Sequence, residues 1–221
     1  MKYITVLDND PFVACSLKSL VETSFGSGCL LTTATPLEFI YAVFSKMNMD
    51  YAFISYHSTD CRVLFAIQAF ISSRPYSCLI VMLEDVNTPT LKLMLCMGVR
   101  FIITRREKLI SIQHLMHKSI KQDDYYISPL IQALIDESPP PSSWNKMTPS
   151  NIALFTPTEK NVIIELLNGS PPRAVAKKLS ISVKTVSVHK RNALKKMSVK
   201  NLNAFFSIIP RQSSDTNANI R

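Results

Sequence analysis

The sequence has few of the features that mark several common classes of protein. Its 221 residues include only four glycines and one tryptophan, and its five cysteines form no Cys-x-x-Cys pair. Without paired cysteines, neither a disulfide framework nor a zinc finger is indicated, so we expect reduced thiols and no metal site. The scattered glycines provide no glycine-rich loop of the kind that surrounds a nucleotide phosphate.

Long hydrophobic runs are also missing. Hydrophobic residues make up 47% of the chain, which is too many for a disordered protein. Strongly apolar runs such as 78–83 are nevertheless far shorter than the roughly 20 residues that cross a bilayer. Acidic residues begin at Asp8, too early for the apolar region of a signal peptide. We therefore expect a cytoplasmic protein with no membrane-spanning segment.

Acidic residues are scarce in one part of the chain only. Residues 139–221 carry 13 Lys and Arg against 3 Asp and Glu, whereas residues 1–138 carry 12 against 13. Such a concentration of positive charge indicates a polyanion-binding module joined to a nearly neutral body. Nine basic residues and no acidic residue lie between Arg173 and Lys200, although solvated helix faces usually mix both signs. A phosphate backbone would offset their mutual repulsion.

Short apolar runs alternate with longer amphipathic stretches through the first 125 residues. The predicted strands are Tyr3–Leu7, Leu30–Thr33, Tyr51–Ile54, Cys78–Leu83 and Val99–Ile103. The predicted helices are Val13–Thr23, Leu37–Lys46, Val63–Ile71, Thr90–Cys96 and Leu109–Lys121. This alternation predicts an α/β fold, a doubly wound five-stranded parallel sheet with helices on both faces.

Three consecutive prolines, Pro139–Pro141, mark a boundary because they cannot lie inside a helix. We therefore divide the chain into an α/β domain at 1–125, a helix and proline-rich linker at 126–150, and a small all-α domain at 151–210. The polar segment 211–221 lacks periodicity and is predicted to be a disordered tail.

Helix signals in the basic segment predict a small bundle. Thr156 and Glu159 fit a capping box that begins one helix. A second helix begins at Pro172, and Ser182 caps a third helix that continues to about Met197. Two short helices and a tight turn therefore precede a longer basic helix.

The third helix divides into an apolar face and a cationic stripe at helical spacing. The residues predicted to face inward are Val186, His189, Ala193 and Met197. The residues suited to phosphate contacts are Lys184, Thr185, Lys190 and Lys195. Ser187, Val188 and Arg191 lie centrally enough to meet base edges, where Arg191 can bind guanine and Val188 can cover a thymine methyl. We expect no catalytic residue in this helix, because no partner acid or nucleophile stands at a useful spacing from His189.

The basic segment resembles the LuxR/NarL-type helix-turn-helix of bacterial transcription regulators. The likeness rests on Phe155–Glu159, Leu166–Gly169, Val175–Leu179, Ile181–His189 and Leu194–Met197. The resemblance implies a fourth helix at Asn201–Ile209 through which such domains pair on DNA. Its apolar side would be formed by Leu202, Phe205, Phe206 and Ile209. Pro171–Ala174 departs from the pattern, because relatives usually carry polar and acidic residues there.

The first 125 residues resemble a response-regulator receiver domain that has lost its phosphate chemistry. That family uses acidic residues to hold Mg²⁺, an Asp to accept the phosphoryl group, a hydroxyl and a Lys. The matching positions here are Asp8, Asn9, Asp10, Ser55, Leu83 and Arg105. Because a serine cannot form an acyl phosphate and Asn9 weakens a magnesium cage, the resemblance implies a pseudo-receiver with no phosphoaspartate switch and no cofactor.

Receivers commonly pair through their fourth and fifth helices. We expect most of the apolar residues in this region to face the sheet, with any remainder available for a dimer contact. These residues are Leu91, Leu93, Met94, Met97, Leu109, Ile112 and Met116.

Two functions are the leading hypotheses, while an enzyme with Asp8 and Asp10 at the strand ends and a small-molecule sensor stay formally open. The first is a sequence-specific, double-stranded DNA-binding transcription regulator that acts independently of aspartyl phosphorylation as a homo- or heterodimer. A similarity to auxiliary enterobacterial regulators, which pair with a capsule-regulator-type partner, implies a LuxR-type response regulator as one possible partner. The alternative is a protein–protein adaptor that alters the DNA choice of such a partner and binds DNA weakly alone. Neither hypothesis requires enzymatic activity or a membrane.

Overall fold

The fold is taken from a computed structural model that describes residues 2–25, 28–45, 49–57, 60–74, 77–117, 125–136 and 153–207. Several of the expectations above lie wholly or partly outside the described residues. They are the end of the predicted helix Leu37–Lys46, the last four residues of the predicted helix Leu109–Lys121, the proline-rich part of the linker at 137–150, the position of Ile209 and the tail at 211–221.

The N-terminal domain is a parallel sheet with strand order β2-β1-β3-β4-β5-β6. The strands are β1 Lys2–Leu7, β2 Gly28–Thr33, β3 Tyr51–Tyr56, β4 Cys78–Leu83, β5 Phe101–Thr104 and β6 Tyr126–Ile127. The helices are α1 Pro11–Phe25, α2 Pro36–Ser45, α3 Val63–Ser73, α4 Thr88–Met97, α5 Leu109–His117 and α6 Pro129–Asp136. The α/β prediction, a doubly wound parallel sheet, is confirmed.

The sheet has six strands rather than the five that we predicted. β6 continues the parallel pairing of β5, with Phe101 opposite Tyr126. Tyr126 N donates to Arg100 O at 2.9 Å, and Ser128 N, just after β6, donates to Ile102 O at 3.0 Å. A two-residue strand carries no alternation pattern, so sequence periodicity could not reveal it.

β5 also begins two residues later than predicted because Val99 belongs to the end of α4. Gly98 adopts a left-handed conformation with φ of 93°, and its N–H donates to Leu95 O at 2.9 Å. Val99 N then donates to Met94 O at 3.0 Å. These two bonds form a Schellman motif, so the apolar Val99 ends a helix instead of starting a strand.

Both faces of the sheet are buried. Ile4, Val6 and Phe53 point to the side covered by α1 and α5. On the opposite side, Leu7 and Ile54 pack under α2, α3 and α4. The continuous apolar run of β4 follows from this arrangement, since a central parallel strand needs apolar side chains on both faces.

Four helices form the C-terminal domain, α7 Pro157–Leu167, α8 Pro172–Leu179, α9 Val183–Lys196 and α10 Leu202–Ser207. The capping box is present, because Glu159 N donates to Thr156 Oγ1 at 3.2 Å and Thr156 N donates to the Glu159 carboxylate at 2.9 Å. Gly169, with φ of 84°, follows α7 in the left-handed region that glycine tolerates. The predicted helix order is therefore confirmed.

The two domains share one continuous apolar core. Phe155 N donates to Cys96 O at 2.8 Å, and the Lys160 ammonium donates to Met97 O at 2.9 Å, so α4 is bound directly to the start of the C-terminal bundle. Asn168 Nδ2 donates to Cys61 O at 3.0 Å on the α3 side of the contact. The apolar side chains that the C-terminal domain adds to this core are Phe155, Ile163, Ile164, Leu167, Ala193, Leu194, Met197, Val199 and Phe205.

Three of the four cysteines whose side chains the structure describes are buried. Cys61, Cys78 and Cys96 are buried and form no disulfide, whereas Cys15 is exposed. Burial raises the pKa of Cys96 to about 11 and that of Cys78 to about 12, so both remain protonated at neutral pH. In the described part of the chain, no helix has the length and apolarity needed to cross a membrane.

Candidate nucleic-acid interface and the sheet-edge pocket

A tight turn sets the direction of α9. Ser180 ends α8 in the left-handed region with φ of 53°, and Ile181 N donates to Ala176 O at 3.0 Å. Ser182 then caps α9, because its hydroxyl accepts a hydrogen bond from Thr185 N at 3.0 Å. Val175 of α8 and Val186 of α9 pack in one cluster with Val162 of α7, which fixes the angle between the three helices.

The inward face of α9 agrees with the sequence prediction. Val186, Ala193 and Met197 are buried, and His189 is half-buried. Leu194, which sequence reasoning did not place, is buried as well and lies in the core shared with the N-terminal domain. α9 is therefore packed along two directions, toward its own bundle and toward the sheet domain.

The outward face of α9 is an exposed cationic stripe. Its exposed members are Lys184, Ser187, Val188, Arg191 and Lys195. Thr185 and Lys190 are half-buried at the border of the stripe. The side chains that we assigned to DNA thus share one accessible face, while their roles in phosphate and base contacts remain predictions.

Two of the nine basic residues between 173 and 200 have acidic partners, so the expectation that all nine repel one another until a phosphate backbone offsets them was wrong. The Lys178 ammonium lies 2.6 Å from the Glu165 carboxylate, and that of Lys196 lies 2.6 Å from the Glu159 carboxylate. Both acids belong to α7, upstream of the run, so a local count could not find them. Neither lysine belongs to the exposed stripe.

Two hydroxyl groups on α9 already make hydrogen bonds inside the helix. The Ser187 hydroxyl donates to Val183 O at 3.1 Å, and Thr185 Oγ1 lies 2.8 Å from Ser182 Oγ. A serine that donates to the preceding turn keeps lone pairs free to accept hydrogen bonds from outside. Ser187 is therefore better suited to accept from a base amino group than to donate to a phosphate.

The apolar residues of α10 do not share one exposed face. Phe205 is buried in the core shared by the two domains, Leu202 is half-buried and Phe206 is exposed. The resemblance implied that these residues form one side through which such domains pair on DNA, whereas Phe205 is buried here. Among the described residues of this set, Phe206 and part of Leu202 are open for pairing through α10.

A polar cavity of about 650 Å³, the sheet-edge pocket, lies at the carboxyl ends of the strands. Asp8, Asn9, Asp10, Ser55 and Arg105 all line it, so the structure brings the degenerate receiver residues together. Arg105 Nη2 lies 2.9 Å from the Asp10 carboxylate and 3.4 Å from that of Asp8. The Ser55 hydroxyl donates to the other oxygen of Asp8.

Glu84 is a pocket residue that sequence reasoning missed. Its carboxylate forms an ion pair with Arg105, which therefore contacts three acidic side chains. Leu83, which we placed at the hydroxyl position, instead points into the apolar core. Alternation along β4 would have found this, since Leu83 and Glu84 must face opposite ways.

The Arg105 guanidinium thus lies between the carboxylates of the pocket, where it supplies a permanent positive charge. Only 3% of the Asp8 side chain is exposed, and Asp8 Oδ1 also accepts a hydrogen bond from Asp10 N at 2.7 Å. A buried carboxylate with an ion pair and two hydrogen bonds is satisfied without a metal ion. Among the described residues, no group of three or more His, Cys, Asp and Glu is placed to hold a metal.

Comparison with known proteins identifies the C-terminal domain. Residues 153–208 match the family model described as bacterial regulatory proteins, luxR family. No curated protein sequence matches the chain.

Solved structures of RcsB resemble nearly the whole chain. One is RcsB from Salmonella enterica serovar Typhimurium bound to promoter rprA with phosphomimetic BeF₃⁻, at 17% identity and a TM-score of 0.54, covering 94% of this chain and 100% of that one. Another is a complex of the two-component response regulator RcsB with DNA, at 16% identity and a TM-score of 0.53, covering 93% and 96%. A third, the Salmonella typhimurium RcsB response regulator, has 15% identity and a TM-score of 0.52, covering 94% and 98%. At these identities the likeness shows the fold, a receiver-like domain followed by a helix-turn-helix.

Proposed function

We propose that this chain is a sequence-specific DNA-binding transcription regulator whose activity does not depend on aspartyl phosphorylation. In the proposal, residues 1–125 form a pseudo-receiver and residues 151–210 bind double-stranded DNA. The luxR-family match carries the DNA-binding part, and the complexes of RcsB with DNA support it by analogy of fold.

The exposed cationic stripe is the observation that best supports DNA contact. A helix that follows a tight turn and presents lysine and arginine outward has the form that enters a major groove. Arg191 would bind guanine, Val188 would contact a thymine methyl, and Ser187 would accept from a base amino group. The residues assigned to phosphates are Lys184, Thr185, Lys190 and Lys195.

The sheet-edge pocket supports phosphorylation independence. Ser55 stands at the acceptor position, and its hydroxyl is hydrogen-bonded to Asp8. Arg105 occupies the region between the carboxylates that would otherwise attract a divalent cation. The pocket therefore lacks both a nucleophile for acyl phosphate formation and a free acidic cage.

The regulator would act as a dimer, because a helix-turn-helix dimer reads two half-sites about one helical turn apart. Its partner would be a second copy or another LuxR-type response regulator. The adaptor hypothesis differs in one measurable way, since it requires weak and unspecific DNA binding by this chain alone.

Selection of bound sequences from a random duplex pool tests the proposal. The full chain should enrich one motif, and a mobility-shift titration should show that the motif binds more tightly than a shuffled duplex. Enrichment only in the presence of a co-purified partner would favour the adaptor. No enrichment under either condition would contradict both functions.

A further inference from the structure

The end of helix α4 is completed by the C-terminal domain. An α-helix leaves its last four carbonyl groups without partners inside the helix. The Schellman motif around Gly98 satisfies two of these carbonyls in α4. The other two accept hydrogen bonds from the C-terminal domain. Phe155 N donates to Cys96 O at 2.8 Å, and the Lys160 ammonium donates to Met97 O at 2.9 Å. The contact between the domains is therefore part of how α4 ends.

Side-chain contacts extend this junction to α3 and to the end of α9. Gln68 Nε2 of α3 donates to Asn161 Oδ1 of α7 at 2.5 Å. The Lys92 ammonium of α4 donates to Ser198 Oγ, two residues after α9, at 2.6 Å. We call these contacts, together with the two at the end of α4, the α4 dock. Polar groups and a shared apolar core thus bind the two domains to each other over several elements.

The α4 dock and the predicted base readers use different parts of α9. The α9 side chains in the shared core lie at its C-terminal end, and they are Ala193, Leu194 and Met197. The predicted base readers lie before them in the helix and are exposed, and they are Ser187, Val188 and Arg191. In helix-turn-helix proteins, the N-terminal residues of the recognition helix contact base edges. The α4 dock therefore leaves the reading part of α9 exposed.

The exposure of the base readers bears on whether the domains must separate before DNA binds. A ligand shifts a conformational equilibrium only by its difference in affinity for the two states. Because the base readers are already exposed in the docked state, DNA gains no contact to them from separation. Separation would also divide the apolar core to which both domains contribute and expose it to water. The balance of these two effects favours a dock that stays closed on DNA.

We propose that the docked arrangement is the form that binds DNA, and that the sheet domain stays on α7 and α9 instead of separating from them. The inference rests on the proposed DNA-binding function and specifies the role of the sheet domain in it. A recognition helix whose orientation is fixed before binding loses less conformational freedom on the duplex than one on a freely moving domain. The sheet domain is then a support for α9 and not an inhibitor of DNA binding.

Residue-resolved amide hydrogen exchange of the full chain, with and without the selected duplex, tests the inference. The Phe155 amide is the reporter, because it lies before α7 and its acceptor, Cys96 O, belongs to the other domain. Its exchange rate should change by less than about threefold when DNA binds. The Val162 amide is the control, since it lies inside α7 and reports the folding of the C-terminal domain alone.

Lys160→Met provides the second test, because it removes the donor to Met97 O but keeps most of the aliphatic side chain. The variant should speed exchange of the Phe155 amide in the free protein by about tenfold. Lys18→Met is the matched control, because it removes the same charge from an exposed position on α1 and should leave this exchange unchanged. In a mobility-shift titration, Lys160→Met should bind the selected duplex no more tightly than Lys18→Met.

Two results would overturn the inference. The first is exchange of the wild-type Phe155 amide that becomes faster by about tenfold or more on the duplex while the Val162 amide is unchanged. The second is tighter DNA binding by Lys160→Met than by Lys18→Met, because loosening an inhibitory dock would release the DNA-binding domain. A wild type that binds no duplex specifically contradicts the proposed function and the inference together, whereas a wild type that binds and opens contradicts the inference alone.

Discussion

Charged side chains serve opposite purposes at the two ends of this molecule. In the sheet-edge pocket, Arg105 is surrounded by Asp8, Asp10 and Glu84, so its charge is used within the protein. On α9, Lys184, Arg191 and Lys195 face outward in a stripe that contains no acid. The difference separates positive charge that stabilises a fold from positive charge that is available to a polyanion.

The same distinction applies within a single helix turn. Lys195 is exposed, whereas its neighbour Lys196 forms an ion pair with Glu159 of α7 and donates to Leu154 O at 2.8 Å. Basic residues of α9 therefore cannot be treated as one group. A lysine that forms an ion pair with an acid of another helix stabilises the fold, whereas an exposed lysine without such an acid is available to a polyanion.

The largest expected effect comes from replacing Lys196 and Lys195 by alanine in two separate variants. Lys196→Ala leaves the nearly buried Glu159 carboxylate without its partner and should lower the free energy of unfolding by about 2–3 kcal/mol. Lys195→Ala should change it by less than about 0.5 kcal/mol and should weaken binding to all duplexes alike. Urea unfolding measures the free energy of unfolding, and mobility shifts measure the affinity for DNA. Equal unfolding curves for the two variants would contradict the view that Lys196 stabilises the fold and Lys195 does not.

Arg191 tests whether the stripe reads sequence. Arg191→Ala should weaken binding to the selected duplex by about 1–3 kcal/mol. It should also reduce the gap, meaning the difference in binding free energy between that duplex and a shuffled one. The control is Lys195→Ala, which should preserve the gap. If Arg191→Ala discriminates between the duplexes as well as wild type, the assignment of Arg191 to a base contact is wrong.

Arg105 tests the pocket. Arg105→Ala removes the cation from among three carboxylates and should lower the free energy of unfolding by about 1–2 kcal/mol. Mg²⁺ should restore part of this loss in the variant, because freed carboxylates are hard oxygen ligands, and should leave wild type unchanged. Thermal unfolding with and without Mg²⁺ measures both effects. An equal Mg²⁺ response in wild type would show that Arg105 does not occupy the cation's place.

The smallest effect concerns pH. Burial alone would raise the pKa of Glu159, but hydrogen bonds from Lys196 and Thr156 outweigh it and hold the pKa below its usual 4.5. A lowered folded-state pKa contributes stability above the unfolded value, and this contribution disappears as the pH falls through the folded pKa. Wild type should therefore be more stable than Glu159→Gln at neutral pH, and the difference should shrink below about pH 4.5. A difference that is independent of pH would contradict this view.

Local signals explain what the sequence predicted well. The capping box at Thr156 and the apolar face at Val186 and Ala193 depend on residues within a few positions, and the structure has them as expected. The parallel sheet followed from alternating runs. The location of Ser55 and Asp8 in one pocket was implied by the resemblance to receiver domains, and it agrees with the rule that parallel strands present their carboxyl ends at one edge.

Long-range contacts explain what it missed. Glu165 and Glu159 meet lysines 13 and 37 positions away, and nothing in the local pattern marks such pairs. The resemblance placed Phe205 on a pairing surface, but it is buried in the core to which both domains contribute side chains. β6 was too short to show a period, and Val99 looked like strand sequence although it closes α4.

The most direct test of the central claim is the affinity of the full chain for its selected duplex, measured by fluorescence anisotropy with and without Mg²⁺ and beryllofluoride. A pocket with Ser55 at the acceptor position and Arg105 between its carboxylates predicts the same dissociation constant under both conditions. Tightening by about 1.4 kcal/mol, which is tenfold, would contradict a regulator that acts without aspartyl phosphorylation.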